Sequence, residues 1–193
     1  MRRSTPGETE PDDNSSLLAA DPRNARYAYL AVTIDHSIGN TLLKLGHTAE
    51  AVRRFESARA TAGGLLNGPN SRGARSQYIR LGLHLALLRA TAGDPRAAGL
   101  AEEASRELAR KPLGTAFEDA TGYAELGKVY SQLAKHGARS ERADRLRKAV
   151  ATLEKSRDLW RSWTVNRAVE PRRQRELAAV EAALGECLAL LPS

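Results

Sequence analysis

The sequence predicts an all-helical fold assembled from helix pairs that follow one another along the chain. Alanine, leucine, arginine and glutamate are frequent, aromatic residues make up only 5% of the chain, and β-branched residues are scattered. This composition favours helix over strand. Apolar residues also recur at helical spacing in successive segments, and several turn and helix residues recur 47 positions apart. We therefore expect no sheet.

Length and charge limit what the chain can be. With 193 residues, it is long enough to bury roughly 70% of its unfolded surface around one core. Its 30 lysine and arginine residues exceed its 23 acidic residues, which gives a net charge of +7. This excess favours acidic partners, such as carboxylate-rich peptides, nucleic acid or anionic lipid, without choosing among them. A dispersed, arginine-rich surface of the kind that a high-GC genome produces explains the charge equally well.

Cysteine usage and the first residues indicate a cytoplasmic chain. Cys187 is the only cysteine, so an intramolecular disulfide is impossible, and no Cys/His spacing typical of a zinc site is present. Residues 1–16 are polar, contain prolines and lack an apolar stretch, which predicts a flexible tail and not a secretory signal. Because no run of about 18 apolar residues occurs, we expect no membrane span.

Three helix pairs and a final helix are expected after the tail. In the first pair, Gly46 ends one helix and Thr48 caps the next, which the turn at 67–70 ends. The second pair turns at 93–95, and a longer basic loop at 135–142 joins the helices of the third. The predicted helical domain covers 17–193, with pairs at about 25–66, 75–110 and 118–163 and a capping helix at 172–191.

A shared spacing supports this pairing. Residues recur 47 positions apart in turns as well as in helices: Leu18 and Leu65, Pro22 and Pro69, Gly46 and Gly93, and Ala51 and Ala98. Such a period is typical of repeat folds. The final helix is amphipathic, and its predicted buried residues are Leu177, Val180, Leu184, Leu188 and Leu191, with Cys187 as an inert thiol in the same apolar run.

The first pair carries a packing motif made of Ile38-Gly39-x2-Leu42, the turn Leu45-Gly46 and the second-helix pattern Ala51-x3-Phe55-x2-Ala58. This motif resembles a tetratricopeptide repeat, in which small residues let paired helices approach closely. The third pair repeats part of it with Tyr123, Leu126-Gly127, Tyr130, Ala149, Leu153 and Ser156. The second pair offers Ala86 for the glycine, Ala98 for the packing alanine and Glu102 at the bulky apolar position. The 47-residue spacing exceeds the usual ~34-residue period of that family.

Three further motifs occur in a distinctive order: Leu18-x2-Asp21-Pro22-x-Asn24, the Gly93-Asp94 turn, and Lys155-Ser156-x2-Leu159-Trp160. Together, over roughly residues 17–191, they resemble the repeat region C-terminal to bacterial serine/threonine kinases of the acidobacterial type. The sequence has no glycine-rich phosphate loop, no His-Arg-Asp catalytic loop and no Asp-Phe-Gly metal site, so the kinase itself is absent from it. Three alternatives follow: a stand-alone relative, a separated fragment, or a subunit that works beside an enzyme.

The tetratricopeptide resemblance implies a right-handed α-solenoid of about three helix pairs plus a capping helix, with a concave groove lined by the first helix of each pair. It places eight residues in this groove: His36, Asn40, Lys44, Arg80, Leu83, His84, Leu87 and Lys128. Asn40, Arg80 and His84 resemble the clamp with which some such domains hold a peptide's terminal carboxylate. The alternative is that these are solvated polar residues beside core leucines.

The expected function is that of a scaffold or docking module that binds a peptide or protein segment in the groove. An acidic segment matches the charge, and the kinase resemblance implies a regulatory region of, or a partner to, a serine/threonine kinase. We expect no enzyme activity, metal or cofactor, because the four histidines lie in different elements and no nucleophile elbow or phosphate loop is present. The alternative is a basic helical protein that binds nucleic acid through residues 135–142 and 167–175.

Overall fold

The computed structural model describes residues 24–163 and 168–191. Within these ranges the chain forms seven α-helices and one short 3₁₀ turn, and it contains no strand. The helices are α1 Ala25–Lys44, α2 Thr48–Gly64, α3 Ser71–Thr91, α4 Arg96–Arg110, α5 Ala116–His136, α6 Arg142–Ser162 and α7 Glu170–Leu190. The predicted all-helical fold is confirmed for this part of the chain. The predicted tail at 1–16 and the motif residues Leu18, Asp21 and Pro22 lie outside the described residues.

The helices pack in the order in which they follow one another. Each of α1 to α6 contacts the next helix in the chain. Helices two positions apart also make contact: α1 with α3, α3 with α5, and α5 with α7. The odd-numbered helices therefore form a continuous series of neighbours. None of the described helices has the length and apolar character that a membrane crossing requires.

Close approach between helices sets the packing of the first and third pairs. A Cβ atom at Gly39 of α1 would lie 2.3 Å from the ring of Phe55 of α2, and Phe55 is completely buried. In the third pair, a Cβ atom at Gly127 of α5 would lie 2.6 Å from the Leu153 side chain of α6. Only glycine can stand at either position while the large partner keeps its place.

In the second pair, alanines take the place of the glycine and the large residue at the contact between the helices. Ala86 stands 47 positions after Gly39, and the buried face of α4 consists of Ala97, Ala101, Ala104 and Leu108. The prediction that Ala98 is the packing alanine is therefore wrong, because the buried stripe runs one residue earlier. Ala101, and not Glu102, stands at the bulky position. Ala86 and Ala101 are both fully buried, so this pair packs small side chains where the first pair has Gly39 and Phe55.

The turns inside the first and second pairs have the same conformation. Gly46 (φ 83°) and Gly93 (φ 71°) have left-handed backbone conformations, which glycine adopts without strain. In both turns the residue after the glycine donates its N–H to a helix carbonyl five residues back, over 2.9 Å. The predicted 47-residue spacing is thus confirmed at these turns. The third pair turns differently, since Gly137 has an extended backbone and a 3₁₀ turn at Arg139–Glu141 lengthens the connection.

Two local predictions are wrong. Thr48 does not cap α2 but is its first residue, and His47 occupies the cap position without a side-chain cap bond. The glycine turn closes so tightly that only His47 separates Gly46 from the helix. In α7, Val180, Leu184 and Cys187 are buried, but Leu188 is 50% exposed. Leu188 lies about 100° around α7 from the buried Cys187, outside the face formed by Val180, Leu184 and Cys187.

We predict that Gly39→Ala destabilises the protein despite the better helix propensity of alanine. The overlap with Phe55 should cost roughly 2 kcal/mol or more, against a gain of about 1 kcal/mol from propensity. The matched control is Gly99→Ala at an exposed position of α4, where a Cβ atom meets nothing within 4 Å. Urea unfolding should show Gly99→Ala stabilising and Gly39→Ala destabilising. Equal effects of the two substitutions would contradict the packing account.

If the clash is the cause, shortening Phe55 relieves it. The double variant Gly39→Ala/Phe55→Leu should lose less stability than the two single variants lose in sum, because the two residues are in contact. Additive losses would mean that Gly39 and Phe55 do not limit each other.

Candidate binding surface

The eight predicted groove residues lie on α1, α3 and α5, and α3 contacts both of the other two helices. Along α1, His36 is buried, Asn40 is half-buried and Lys44 is exposed. Spacings of four residues place these three on one face of the helix. This face of α1 thus runs from a buried residue at His36 to an exposed one at Lys44.

On α3, the predicted residues divide between surface and core. Arg80, His84 and Leu87 are half-buried and share a face through spacings of four and three residues. Leu83 is only 1% exposed and belongs to the main hydrophobic core, so its side chain does not reach the surface. Lys128 is exposed on α5.

His36 links α1 to α3. Its Nδ1 atom lies 2.8 Å from the Gln77 carboxamide oxygen, which accepts the hydrogen bond. Burial lowers the pKa of His36, so the ring is neutral near pH 7 and carries its proton on Nδ1. The other ring nitrogen, Nε2, is buried and has no hydrogen-bond partner.

His84 lies at the centre of a ring cluster that joins the first three helices. Its ring stacks on Phe55 of α2, with centroids 5.3 Å apart, and meets the His36 ring edge-on at 5.1 Å. Burial, followed by repulsion from the protonated form of His36 and from Arg80, lowers the pKa of His84 to about 4. Near pH 7 both imidazoles are therefore neutral. The Nδ1 atom of His84 is buried without a hydrogen-bond partner.

Arg80 and Glu125 bring opposite charges to the same region from α3 and α5. The Nε atom of Arg80 and the Oε2 atom of Glu125 are buried, and neither has a hydrogen-bond partner. Burial raises the pKa of Glu125 to about 7, although the positive charges of Arg80 and Lys128 act in the opposite direction. Glu125 therefore changes its charge near neutral pH, whereas Arg80 stays positive.

We call His36, Gln77, Arg80, His84 and Glu125 the polar cluster. It holds four of the six buried side-chain polar atoms that lack a partner in the described chain. Such atoms are rare in native proteins, because each loses its hydrogen bonds to water without replacement. Their concentration on one surface, with a fixed cation among neutral rings, is an arrangement suited to binding a polar or anionic group.

Two members of the polar cluster were missed by the sequence analysis. Gln77 precedes Arg80 by three residues, and Glu125 precedes Lys128 by three, so each shares a helix face with a predicted residue. That spacing is the signal that could have found them. Their burial, however, depends on how α1, α3 and α5 pack together.

Charged residues elsewhere are engaged in holding helices together. A cavity of about 510 Å³ is lined by Arg75, Glu107 and residues 110–113, among others. Arg75 donates to the carboxylate of Glu107 at 3.1 Å and to the backbone carbonyls of Glu107, Lys111 (2.9 Å) and Pro112 (3.3 Å). It thus satisfies carbonyls around the C-terminal end of α4, where a positive charge is favourable.

Comparisons of the chain with protein-family models, with curated proteins and with solved structures give no match. In the two described ranges, no group of three or more His, Cys, Asp or Glu side chains is placed to hold a metal ion. The polar cluster and the helices that carry it are therefore the features of the chain that point to a function.

We predict a pH-dependent contribution of His84 to stability. Unfolded histidine titrates near 6.5 and folded His84 has a pKa of about 4, so the unfolded state binds more protons between these pH values. This contribution is present above pH 6.5 and is lost as the pH falls towards 4, by at most about 3 kcal/mol. Glu125 acts in the opposite direction, because its pKa is raised.

The test separates the two groups by comparing variants. Urea unfolding of the wild type and of His84→Gln at a series of pH values should give a stability difference that shrinks as the pH falls from 6.5 to 4. His136→Gln, at an exposed position, is the matched control for the chemical change. A difference between wild type and His84→Gln that stays constant with pH would contradict the assignment.

Proposed function

We propose that this chain is a tetratricopeptide-like helical repeat module that docks a peptide or protein segment on the surface of α1, α3 and α5. The repeated glycine turn and the matched packing of Gly39 with Phe55 and of Gly127 with Leu153 support the repeat. The series of contacts between odd-numbered helices fits a solenoid in which those helices lie on the inner, concave side. The right-handed twist of such arrays belongs to the same proposal, and α7 is its capping helix.

The observation that carries the proposal is the polar cluster, with four buried and unpartnered polar atoms on the proposed concave side. Elsewhere in the described chain only two such atoms occur, Nε of Arg59 and Nε1 of Trp160, and Arg59 also pairs with Glu103 over 2.8 Å. A surface that supplies unsatisfied polar groups beside half-buried apolar residues such as Leu87 can hold an extended segment by both kinds of contact.

A carboxylate is the ligand group that fits best. Arg80 can donate two parallel hydrogen bonds to a carboxylate, and Asn40 and Lys128 can add donors from α1 and α5. The neutral rings of His36 and His84 lower the local polarity, which strengthens this interaction. Acidic side chains and a peptide's terminal carboxylate share this chemistry.

We assign binding, and not catalysis, to this surface. A histidine with a pKa of about 4 is a weak general base near pH 7, because its affinity for a proton is low there. The chain would thus act beside an enzyme, as the regulatory region of, or the partner to, a bacterial serine/threonine kinase. A cytoplasmic location agrees with the buried, unpaired Cys187.

Nucleic-acid binding is the alternative, favoured by the net charge of +7. Several arginines are engaged with carboxylates, such as Arg54 with Asp35 at 3.0 Å and Arg89 with Glu56 at 2.5 Å. Pairing reduces the positive charge that these arginines could offer to phosphates. Peptide docking therefore remains the first proposal.

The proposal predicts selective binding of acidic peptides with free carboxyl termini. Immobilised protein is exposed to a library of short acidic peptides and to the same library with amidated termini, and bound peptides are identified by mass spectrometry. Arg80→Ala should weaken binding about tenfold or more, since a charge-assisted pair contributes roughly 1.5–3 kcal/mol. Asn40→Ala should weaken it less, because its contribution is a neutral hydrogen bond.

The matched control is Arg106→Ala, which removes the same charge from an exposed position of α4. It should leave peptide binding nearly unchanged. Equal losses in Arg80→Ala and Arg106→Ala would show that general charge attraction governs binding. Retention of duplex or single-stranded nucleic acid that added salt releases, with no peptide bound, would favour the alternative.

A further inference from the structure

Glu125 is the one acidic member of the polar cluster, and three charged groups act on it. The charge of Arg80 acts on it from α3, that of the exposed Lys128 from its own helix, and that of Glu176 from α7. Arg80 also acts on His36 of α1 and on His84 of α3, and its positive charge helps to lower the pKa of both histidines. The Oε2 atom of Glu125 is buried without a hydrogen-bond partner, as is the Nε atom of Arg80.

A carboxylate that has a buried oxygen and lies within the field of Arg80 has a direct consequence for an anionic ligand. An ionised Glu125 neutralises much of the field of Arg80 and repels a second carboxylate, because like charges in a partly buried region are poorly screened. A protonated Glu125 leaves the positive charges of Arg80 and Lys128 available. It can also donate its new O–H to a ligand oxygen.

We propose that a peptide carboxylate and the ionised Glu125 carboxylate compete for Arg80, so that docking of an acidic peptide is coupled to the uptake of one proton by Glu125. This inference rests on the proposed function and adds a regulation to it. The proton comes from solvent and forms the O–H bond of the Glu125 carboxyl, and no other bond changes. The occupant is a peptide that bears a free carboxylate.

The titration of Glu125 places the switch near neutrality. Its pKa is raised to about 7, whereas peptide carboxylates titrate near 4 and remain ionised. The pKa of His84 is about 4 and that of His36 is lowered from its ordinary value, so both rings are neutral at about pH 7 and above. As the pH rises from about 7 to about 8, Glu125 is thus the group of the polar cluster that loses its proton, and binding should weaken as the pH rises.

The test measures Kd against pH for the tightest acidic peptide of the library, carrying a rhodamine label. Wild-type Kd should rise about tenfold from about pH 6 to about pH 8, the limit for one linked proton with a pKa near 7. Glu125→Gln should bind with a nearly constant Kd, close to the wild-type value at the acid end. Glu186→Gln on α7, the same change at an exposed residue, should keep the wild-type slope.

A second measurement needs no variant and so does not depend on whether Glu125→Gln folds. Calorimetric titration of the wild type with the same peptide, in two buffers of different ionisation enthalpy, gives the number of protons taken up. We expect an uptake approaching one proton at about pH 8. Zero uptake would overturn the coupling.

The outcomes separate this inference from the proposed function. Peptide binding that does not vary with pH, or a slope that persists in Glu125→Gln, would overturn the coupling and leave docking intact. No peptide binding at any pH, in the wild type or in either variant, would overturn both docking and coupling.

Discussion

The distance between paired helices is the constraint on which the rest of the structure depends. Gly39 against Phe55 and Gly127 against Leu153 bring the helices of the first and third pairs together, and only a hydrogen atom fits at each glycine. The second pair meets the same requirement with alanines on both helices. Because each pair has this spacing, α3 can contact both α1 and α5, and the three helices share the polar cluster.

Local chemistry made much of this fold predictable. Gly46 and Gly93 end their helices through left-handed turns, and such turns depend on a few neighbouring residues. The buried stripe of α4 and the exposure of Leu188 could not be predicted in the same way, since each depends on what packs against the helix. Neighbouring residues of a helix point about 100° apart, so an error of one residue in the predicted stripe exchanges the buried Ala97 for the less buried Ala98.

The candidate site shows the same division. His36, Arg80 and His84 were predicted from their register on the first helices, and the structure brings them together. Gln77 and Glu125 were not predicted, because the sequence does not show that a polar residue will be buried by a neighbouring helix. Burial then sets their chemistry: it keeps the histidines neutral and leaves Glu125 poised between two charge states, with Arg80 as the permanent charge.

The central claim is that ligands dock on α1, α3 and α5 through a carboxylate. Nuclear magnetic resonance tests it most directly, by following backbone amide shifts as an acidic peptide is added with a free or an amidated carboxyl terminus. The account predicts that the free peptide shifts amides around Asn40, Arg80 and Lys128, and that amidation weakens the effect. Shifts confined to α2, α4 and α6, or identical responses to both peptides, would contradict it.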